Sequence, residues 1–493
     1  MANEYKYGAY GNLGETVAQS AIQAGTTVVY VGIAPVNLVR EYASQDIINN
    51  PVKLTNYQNA QRTMGYSQNW EGYSLCEAMD AHFNNKKGNI GPIYLINVLN
   101  PDIHRKKEET NVNLVFSNGQ AMIKSDTIIL DTIALDSLAE DVDYQIDYNY
   151  TKGMVIIRSI GNNMLSGAIQ ASFYEVDLTA VNETDIIGGV TERGEYSGLG
   201  SLQLLYQGQN QVCNLLAAPG WSEKPEVYKA MCSAAQQING HWEAFVLADI
   251  PVKDAAGAVD SIAAAKNWKR QYGYTSERSK VFWPQAVSGG IVYHLSTKAA
   301  VEFLRTDYTH NSVPMETCGN ETADITGQYF GADSKNRGFD QVTGKELTSN
   351  GISTCVFWGG NWVIWGDHTA AYEYGADIDA RSIFDVSMRM LFYIANDFQR
   401  EWGQVIDDPF TRQVKDRIIN REQEKLDTLV AKGALIGNPQ VVFLESENST
   451  TDMMNGDFRW DIDATPTPPL KSATVYVAYT DKGFKTYFKT DAE

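Results

Sequence analysis

The fold turns on Val212-Cys-Asn-Leu-Leu-Ala-Ala-Pro-Gly220, an apolar run that stops at a Pro-Gly pair. Apolar residues without alternation read as a strand buried on both faces, and Pro-Gly marks the loop that leaves it. A helix is expected next over Pro225 to Ile238, then a strand at Trp242 to Leu247. Val252 to Arg270 reads as a helix with an alanine-rich face, Val281 to Val287 as a strand and Thr297 to Thr306 as a helix. The polar, glycine-bearing stretch Glu321 to Asn350 reads as a long surface loop before a strand at Ile352 to Trp358. Strands alternating with helices predict a parallel sheet sandwiched by helices.

Towards the N-terminus, Thr26-Thr-Val-Val-Tyr-Val-Gly32 is β-branched and reads as another buried strand. A helix near Tyr73 to Phe83 and a strand at Ile93 to Val98 belong to the same α/β segment, 26–99. Residues 1–25 carry few aliphatic side chains and read as an extended arm. The character changes over 100–183. Asn118-Gly119 between Asn111–Phe116 and Gln120–Lys124 predicts a type I′ hairpin. Tyr144, Ile146, Tyr148 and Tyr150 alternate before Met154–Ile160, and Gly167–Val176 adds a further strand. Short strands at close spacing predict a small β-sandwich inserted into the α/β host, which resumes over 184–370.

The C-terminal section, 371–471, opens with a helix from Asp379 to Trp402. A second runs from Thr411 to Ala431 and stops at Gly433, a position suited to a C′ glycine. Strands follow at Gln440–Glu445 and Phe458–Ile462. The closing arm, 472–493, holds two alternating stretches, Thr474–Tyr479 and Phe484–Phe488.

The 493 residues carry 40 Lys+Arg against 60 Asp+Glu, a formal charge of −20, and 43% are hydrophobic. That supports several cores and excludes general disorder. A field of that sign repels nucleic acid and anionic lipid, so neither is an expected partner of the whole surface. The cysteines Cys76, Cys213, Cys232, Cys318 and Cys355 are odd in number and form no CxxC pair, which fits a reducing cytoplasm. No apolar run approaches the ~18 residues that span a bilayer, and Met1 to Gly14 do not read as a secretory signal.

Catalytic patterns are weak. Ser288-Gly289-Gly290 follows a strand, and His241, Asp249 and His294 lie in the same α/β segment, but there is no GxSxG elbow. The six histidines include no HExxH, so no metal is expected. Gly338-Phe-Asp-Gln-Val-Thr-Gly-Lys345 imitates a phosphate loop with one residue too many and no closing Ser or Thr. No cofactor is expected. One charge pattern stands out. Arg417, Arg421, Lys425 and Lys432 recur at spacings of four, four and seven, which places them on one stripe of the helix. The stripe is either a solvated face with local ion pairs or a docking surface for an acidic partner.

Several pieces, in order, resemble the contractile tail sheath proteins of phages and related injection systems. Ser296-Thr-Lys-Ala-Ala300 through Arg305-Thr306-Asp307, with Pro314 beyond, is similar to the family's helix that ends in Arg-Thr-Asp. Asn350-Gly351-Ile352, then Trp365-Gly366-Asp-His-Thr369, resembles its strand and corner, with His368 where the family usually has Arg. Ala380-Arg381, Trp402 and Lys432-Gly-Ala-Leu-Ile-Gly437 also match. The resemblance implies a non-enzymatic subunit with a subtilisin-like α/β core that lacks a protease triad. It implies hexameric rings of this chain stacked around a tail tube protein, with baseplate and tail terminator proteins at the ends, in a virion tail assembled in the host cytoplasm. It also implies terminal arms that add strands to neighbouring subunits, which here falls on Val475, Val477, Tyr479, Phe484 and Phe488. Arg417, Arg421, Lys425 and Lys432 are then expected to face a tube with an acidic exterior. A serine hydrolase built on Ser288 and a tube-independent surface-layer or capsid-like polymer are the alternatives.

Overall fold

The computed structural model describes residues 22–160 and 164–487. Eight strands form the central sheet: β1 (Ile22–Gly32), β2 (Pro51–Leu54), β3 (Ile90–Asn97), β4 (Leu215–Ala217), β5 (Phe245–Asp249), β6 (Ser279–Phe282), β7 (Ile352–Trp358) and β8 (Asn361–Trp365). Their spatial order is β2-β3-β1-β4-β5-β6-β7-β8. The six inner strands are parallel, and β2 and β8 close the two edges antiparallel. Val28, Val29, Tyr30 and Val31 are all fully buried, so β1 is covered on both faces. That is why its sequence is a continuous apolar run. Val28 pairs with Leu215 on one side and Ile93 on the other. The chain thus reverses its direction of travel across the sheet at β1.

Helices α1 (Leu75–Phe83) and α2 (Leu295–Thr309) pack on each other and on β1 and β3. α2 is buried nearly all round, and its charged residues are therefore paired. Glu302 meets Lys87 at 2.8 Å. Lys298 lies 3.6 Å from Asp324 and 3.6 Å from the Tyr293 ring centroid.

Between β3 and β4 the chain builds two three-stranded sheets around their own core of Leu114, Phe116, Ala121, Tyr144, Ile146, Tyr148, Val155, Ile157 and Phe173. Asn118 and Gly119 take φ of 51° and 70° in a tight turn closed by Ser117 and Gln120. The expected hairpin nevertheless splays. Thr110–Phe116 pairs with Gly167–Phe173, whereas Gln120–Ile123 pairs with Met154–Ser159 in the other sheet. Turning from one sheet to the other lets both strands point apolar side chains at the same core.

Four other expectations change. Lys253–Asp254 and Gly257–Ala258 form a small ladder, so the helix begins only at Ile262, capped by Ser261. The strand expected over Val281 to Val287 is divided: β6 ends at Phe282, and Gln285–Ser288 joins a separate three-stranded sheet. The expected surface loop contains a helix, Gln341–Thr348, whose first turn is capped by Asp340, and this helix absorbs the phosphate-loop lookalike. Lys482–Tyr487 is a short helix where a strand was expected, and Phe488 lies outside the described residues. Residues 1–21 of the N-terminal arm also lie outside them, while Ile22 to Gly25 already belong to β1.

The last unit packs helices α3 (Asp385–Trp402) and α4 (Arg412–Ala431) against a two-stranded sheet of β9 (Leu435–Val442) and β10 (Asp461–Pro466). Val386, Met390, Leu426, Leu429, Leu435 and Val441 make its core.

Candidate assembly interface

α4 starts where the Thr411 side chain accepts the Val414 amide, and it ends before Gly433, whose φ is 81°. Its buried face is Ile418, Glu422, Leu426 and Leu429. This orientation fixes where the basic stripe lies, and its members have different surroundings. Lys425 is ringed by carboxylates: Asp397 and Glu422 at 2.8 Å, and Glu401 in closer contact. Burial pulls its ammonium down, but bonds to these three acids outweigh burial and hold its pKa above the ordinary lysine value. Arg421 bonds Glu401 at 3.1 Å and lies 3.5 Å from Glu424. Arg417 is exposed and its guanidinium sits 5.9 Å over the Trp402 ring, while Trp402 donates to Glu422 at 2.7 Å. Lys432 is exposed. Among the described residues, Arg417 and Lys432 have no carboxylate partner within ion-pair distance. The stripe thus divides into an inner pair that ties α4 to α3 and an outer pair that faces solvent.

The C-terminal stretch is the second element. Residues 474–479 join no strand ladder among the described residues. Val475, Val477 and Tyr479 are 81%, 90% and 86% exposed. Phe484 falls in the short terminal helix. The two-stranded sheet of β9 and β10 has no further strand on either edge among the described residues.

The residues a hydrolase would combine are not assembled. Ser288 donates to Asp324 at 2.8 Å. Asp249 accepts the Ser296 amide at 2.9 Å and also the Ser296 hydroxyl. Burial pushes Asp249 up to about 6, against the pull of His294 and Ser296. His294 bonds Glu77 at 2.7 Å and lies 3.5 Å from Glu223. Burial opposes its charge, but the two glutamates outweigh it and raise its pKa. His241 contributes its carbonyl to Gln399. None of the four bonds another of the set.

Some of the sequence motifs that carried the resemblance tie the α/β core to the C-terminal unit, and others brace the core itself. Asp307 pairs with Arg389 of α3 and accepts from Thr26 at 2.7 Å. Arg305 donates to the Gly88 carbonyl, and Thr306 to that of Glu302 at 2.8 Å. Gly366 takes φ of 130°, and its carbonyl accepts from Lys280 at 2.8 Å. Thr369 donates to the Ser382 carbonyl, and His368 Nδ1 to that of Ile383 at 2.9 Å. The ion pairs in this set escape sequence reasoning. The one available signal was a lysine directly before the apolar run Val281-Phe-Trp283.

No family model matches the chain. Among curated proteins, the tail sheath protein of Burkholderia phage BcepMu is 23% identical in an alignment that covers 96% of each chain. The chain is similar over nearly its whole length to contractile tail sheath proteins. It is a structural sheath subunit. The major tail sheath protein of Serratia phage KSP20 is 24% identical over 62% of this chain and 72% of its own. The sheath fold recurs in an extracellular contractile injection system, PVC, solved in its contracted state. That structure covers 98% of this chain and 99% of its own at a TM-score of 0.54 and 12% identity. Among the described residues no helix of this sheath subunit is long and apolar enough to cross a membrane.

Proposed function

We propose that this sheath subunit stacks as hexameric rings around an inner tail tube and contracts in concert, driving the tube through a host envelope. The carrying observation is the C-terminal stretch. Val475, Val477 and Tyr479 alternate, are almost wholly exposed and join no ladder among the described residues. A segment of that composition finds stable pairing as an added strand on another copy. Each backbone bond contributes only ~1 kcal/mol net, yet a run of them tethers two subunits while the domains move. The N-terminal arm is proposed to do the same.

The tube contact is assigned to Arg417, Arg421, Lys425 and Lys432, with Arg417 and Lys432 meeting the tube first because their charges are not neutralised within the chain. Contacts of this kind weaken with salt. Three separate buried clusters support the division into an α/β sheath core, an inserted β-sandwich, a C-terminal unit and terminal arms. The parallel sheet and the dispersed Ser/His/Asp set support a subtilisin-like core that does no catalysis. Baseplate and terminator proteins are the proposed partners at the ends of the polymer in a virion tail, which is assembled in the host cytoplasm.

Co-expression with a candidate tube protein tests the reading by negative-stain imaging. Long cylinders of tube-defined width are expected. A chain that stays monomeric beside assembled tubes would overturn it, and cylinders of the same width without any tube would favour the surface-layer alternative.

A further inference from the structure

The exposed C-terminal stretch does not leave the body at β10. Thr467 donates its amide to Ala434 at 3.0 Å and its hydroxyl to the Gly433 carbonyl at 2.7 Å, beside the end of α4. Pro468 and Pro469 follow, and prolines favour a stiff extended backbone of about 3.1 Å per residue. At the far end Lys471 lands on the α/β core. Its Nζ lies 3.4 Å from the Tyr372 hydroxyl, 3.5 Å from His368 Nε2 and 5.3 Å from the Tyr372 ring centroid.

The landing site is built to receive an ammonium. His368 is stacked between Tyr372, at 3.4 Å, and Phe384, at 5.2 Å. Its Nδ1 proton is committed to the Ile383 carbonyl at 2.9 Å, which leaves the Nε2 lone pair facing Lys471. Asp367 Oδ1 is 3.5 Å from the same nitrogen and adds negative charge. Lys280 and Asp385 are the other charged groups that act on the ring. Residues 467–471 therefore form a strap with one end on the C-terminal unit and the other on the core. The exposed stretch 474–479 lies beyond this strap.

We infer that Lys471 is a positioning residue through which load on the C-terminal strand enters the α/β core. A pull on residues 474–479 reaches the His368 corner first. It passes from there to Asp385 at the start of α3, which pairs with the buried Lys280 of β6 at 2.5 Å, and so to the central sheet, and it bypasses α4. This rests on the strand-exchange reading above and adds to it the route of the force.

The test uses the full chain with Lys471→Ala, Lys471→Arg and His368→Arg. Burial above all, with Lys471 among the smaller contributors, holds His368 down at about 4. Lys471→Ala should therefore raise the His368 midpoint followed by NMR, and Lys471→Arg should not. Lys471→Ala and His368→Arg, which sets cation against cation, should each cut cylinder yield at fixed protein concentration by roughly threefold, the scale of one exposed cation–π contact. Lys471→Arg should restore the yield. An unchanged midpoint in Lys471→Ala would overturn the anchor. A raised midpoint with full yield would overturn its role in carrying load. Undiminished polymer after deletion of 472–493 would instead sink strand exchange itself, while the midpoint would still report the anchor.

Discussion

Lys280 Nζ lies 2.5 Å from Asp385 Oδ2, and both side chains are wholly buried. Thr317 donates to the same oxygen at 2.8 Å. Four residues along α3, Arg389 forms a second buried pair, with Asp307. Residues four apart share a helix face, so α3 is bolted to two elements of the core, β6 and α2, by charges on one side. Removing one partner of such a pair leaves a bare charge in the interior. Asp385→Asn should cost about 3–5 kcal/mol, whereas Lys280→Met with Asp385→Leu should cost far less, since the pair's own desolvation is also removed. Urea midpoints of the two variants check this. Equal losses would mean that the pair gives the fold more than charge balance.

Acid should destabilise the chain through a buried histidine of the α/β core. His82 is fully buried, its Nε2 is 2.7 Å from the Tyr30 hydroxyl, and its Nδ1 is 3.1 Å from the Ile90 carbonyl. Burial holds its pKa down at about 3. The unfolded chain therefore takes up a proton near pH 6.5 that the folded chain refuses, and stability falls as pH drops. Asp249 acts with the opposite sign. Its folded pKa is raised to about 6, so its contribution is full below its unfolded value near 4 and is lost as pH rises through 6. Comparing His82→Gln with the parent chain isolates the histidine. The variant should be less stable at pH 7, yet lose about 3 kcal/mol less between pH 6.5 and 4. Parallel curves for the two proteins would refute the assignment.

The central sheet was legible because β1 and β4 are buried on both faces and their composition says so directly. The Asn118-Gly119 turn was legible for a similar local reason. What the turn could not reveal is that its two strands part company, since their partners begin at Met154 and Gly167 and pairing is non-local. Alanine content over Val252 to Arg270 imitated a helix across a segment that turns at Gly257, whose φ is 140°. Polar composition hid the helix at Gln341–Thr348. The ion pairs were the least legible. Lys280 and Asp385 stand 105 residues apart, and Asp307 and Arg389 stand 82 apart. No spacing rule links such residues. The basic stripe was visible as a stripe, but two of its neutralising acids, Asp397 and Glu401, come from α3 and share no periodicity with α4.

The exposed C-terminal side chains separate folding from assembly. Val475, Val477 and Tyr479 touch little within the chain, so replacing all three by Ser should change the melting temperature by no more than ordinary surface substitutions do, within about 0.5 kcal/mol. Assembly should suffer, because alternate side chains set the register of an added strand. Sedimentation of sheath polymer against a thermal melt of the same sample gives both quantities. A triple variant that polymerises at the parent concentration would remove these residues from the interface.

The basic helix allows the same separation within one element. Lys425 and Arg421 hold carboxylates of α3 and α4, so Lys425→Ala should loosen the helix pair by about 1 kcal/mol and lower the urea midpoint. Arg417 and Lys432 have no carboxylate partner among the described residues, and Arg417→Glu with Lys432→Glu should leave that midpoint near the parent value. If a tube with an acidic exterior docks on this face, the double variant should fail to coat tubes at low salt, and raising the salt should narrow its gap from the parent by weakening the parent's own attraction. Tube co-sedimentation at two ionic strengths reads the difference. Normal coating by the double variant at low salt would move the tube contact off α4, and would leave the stripe as a device for holding two helices together.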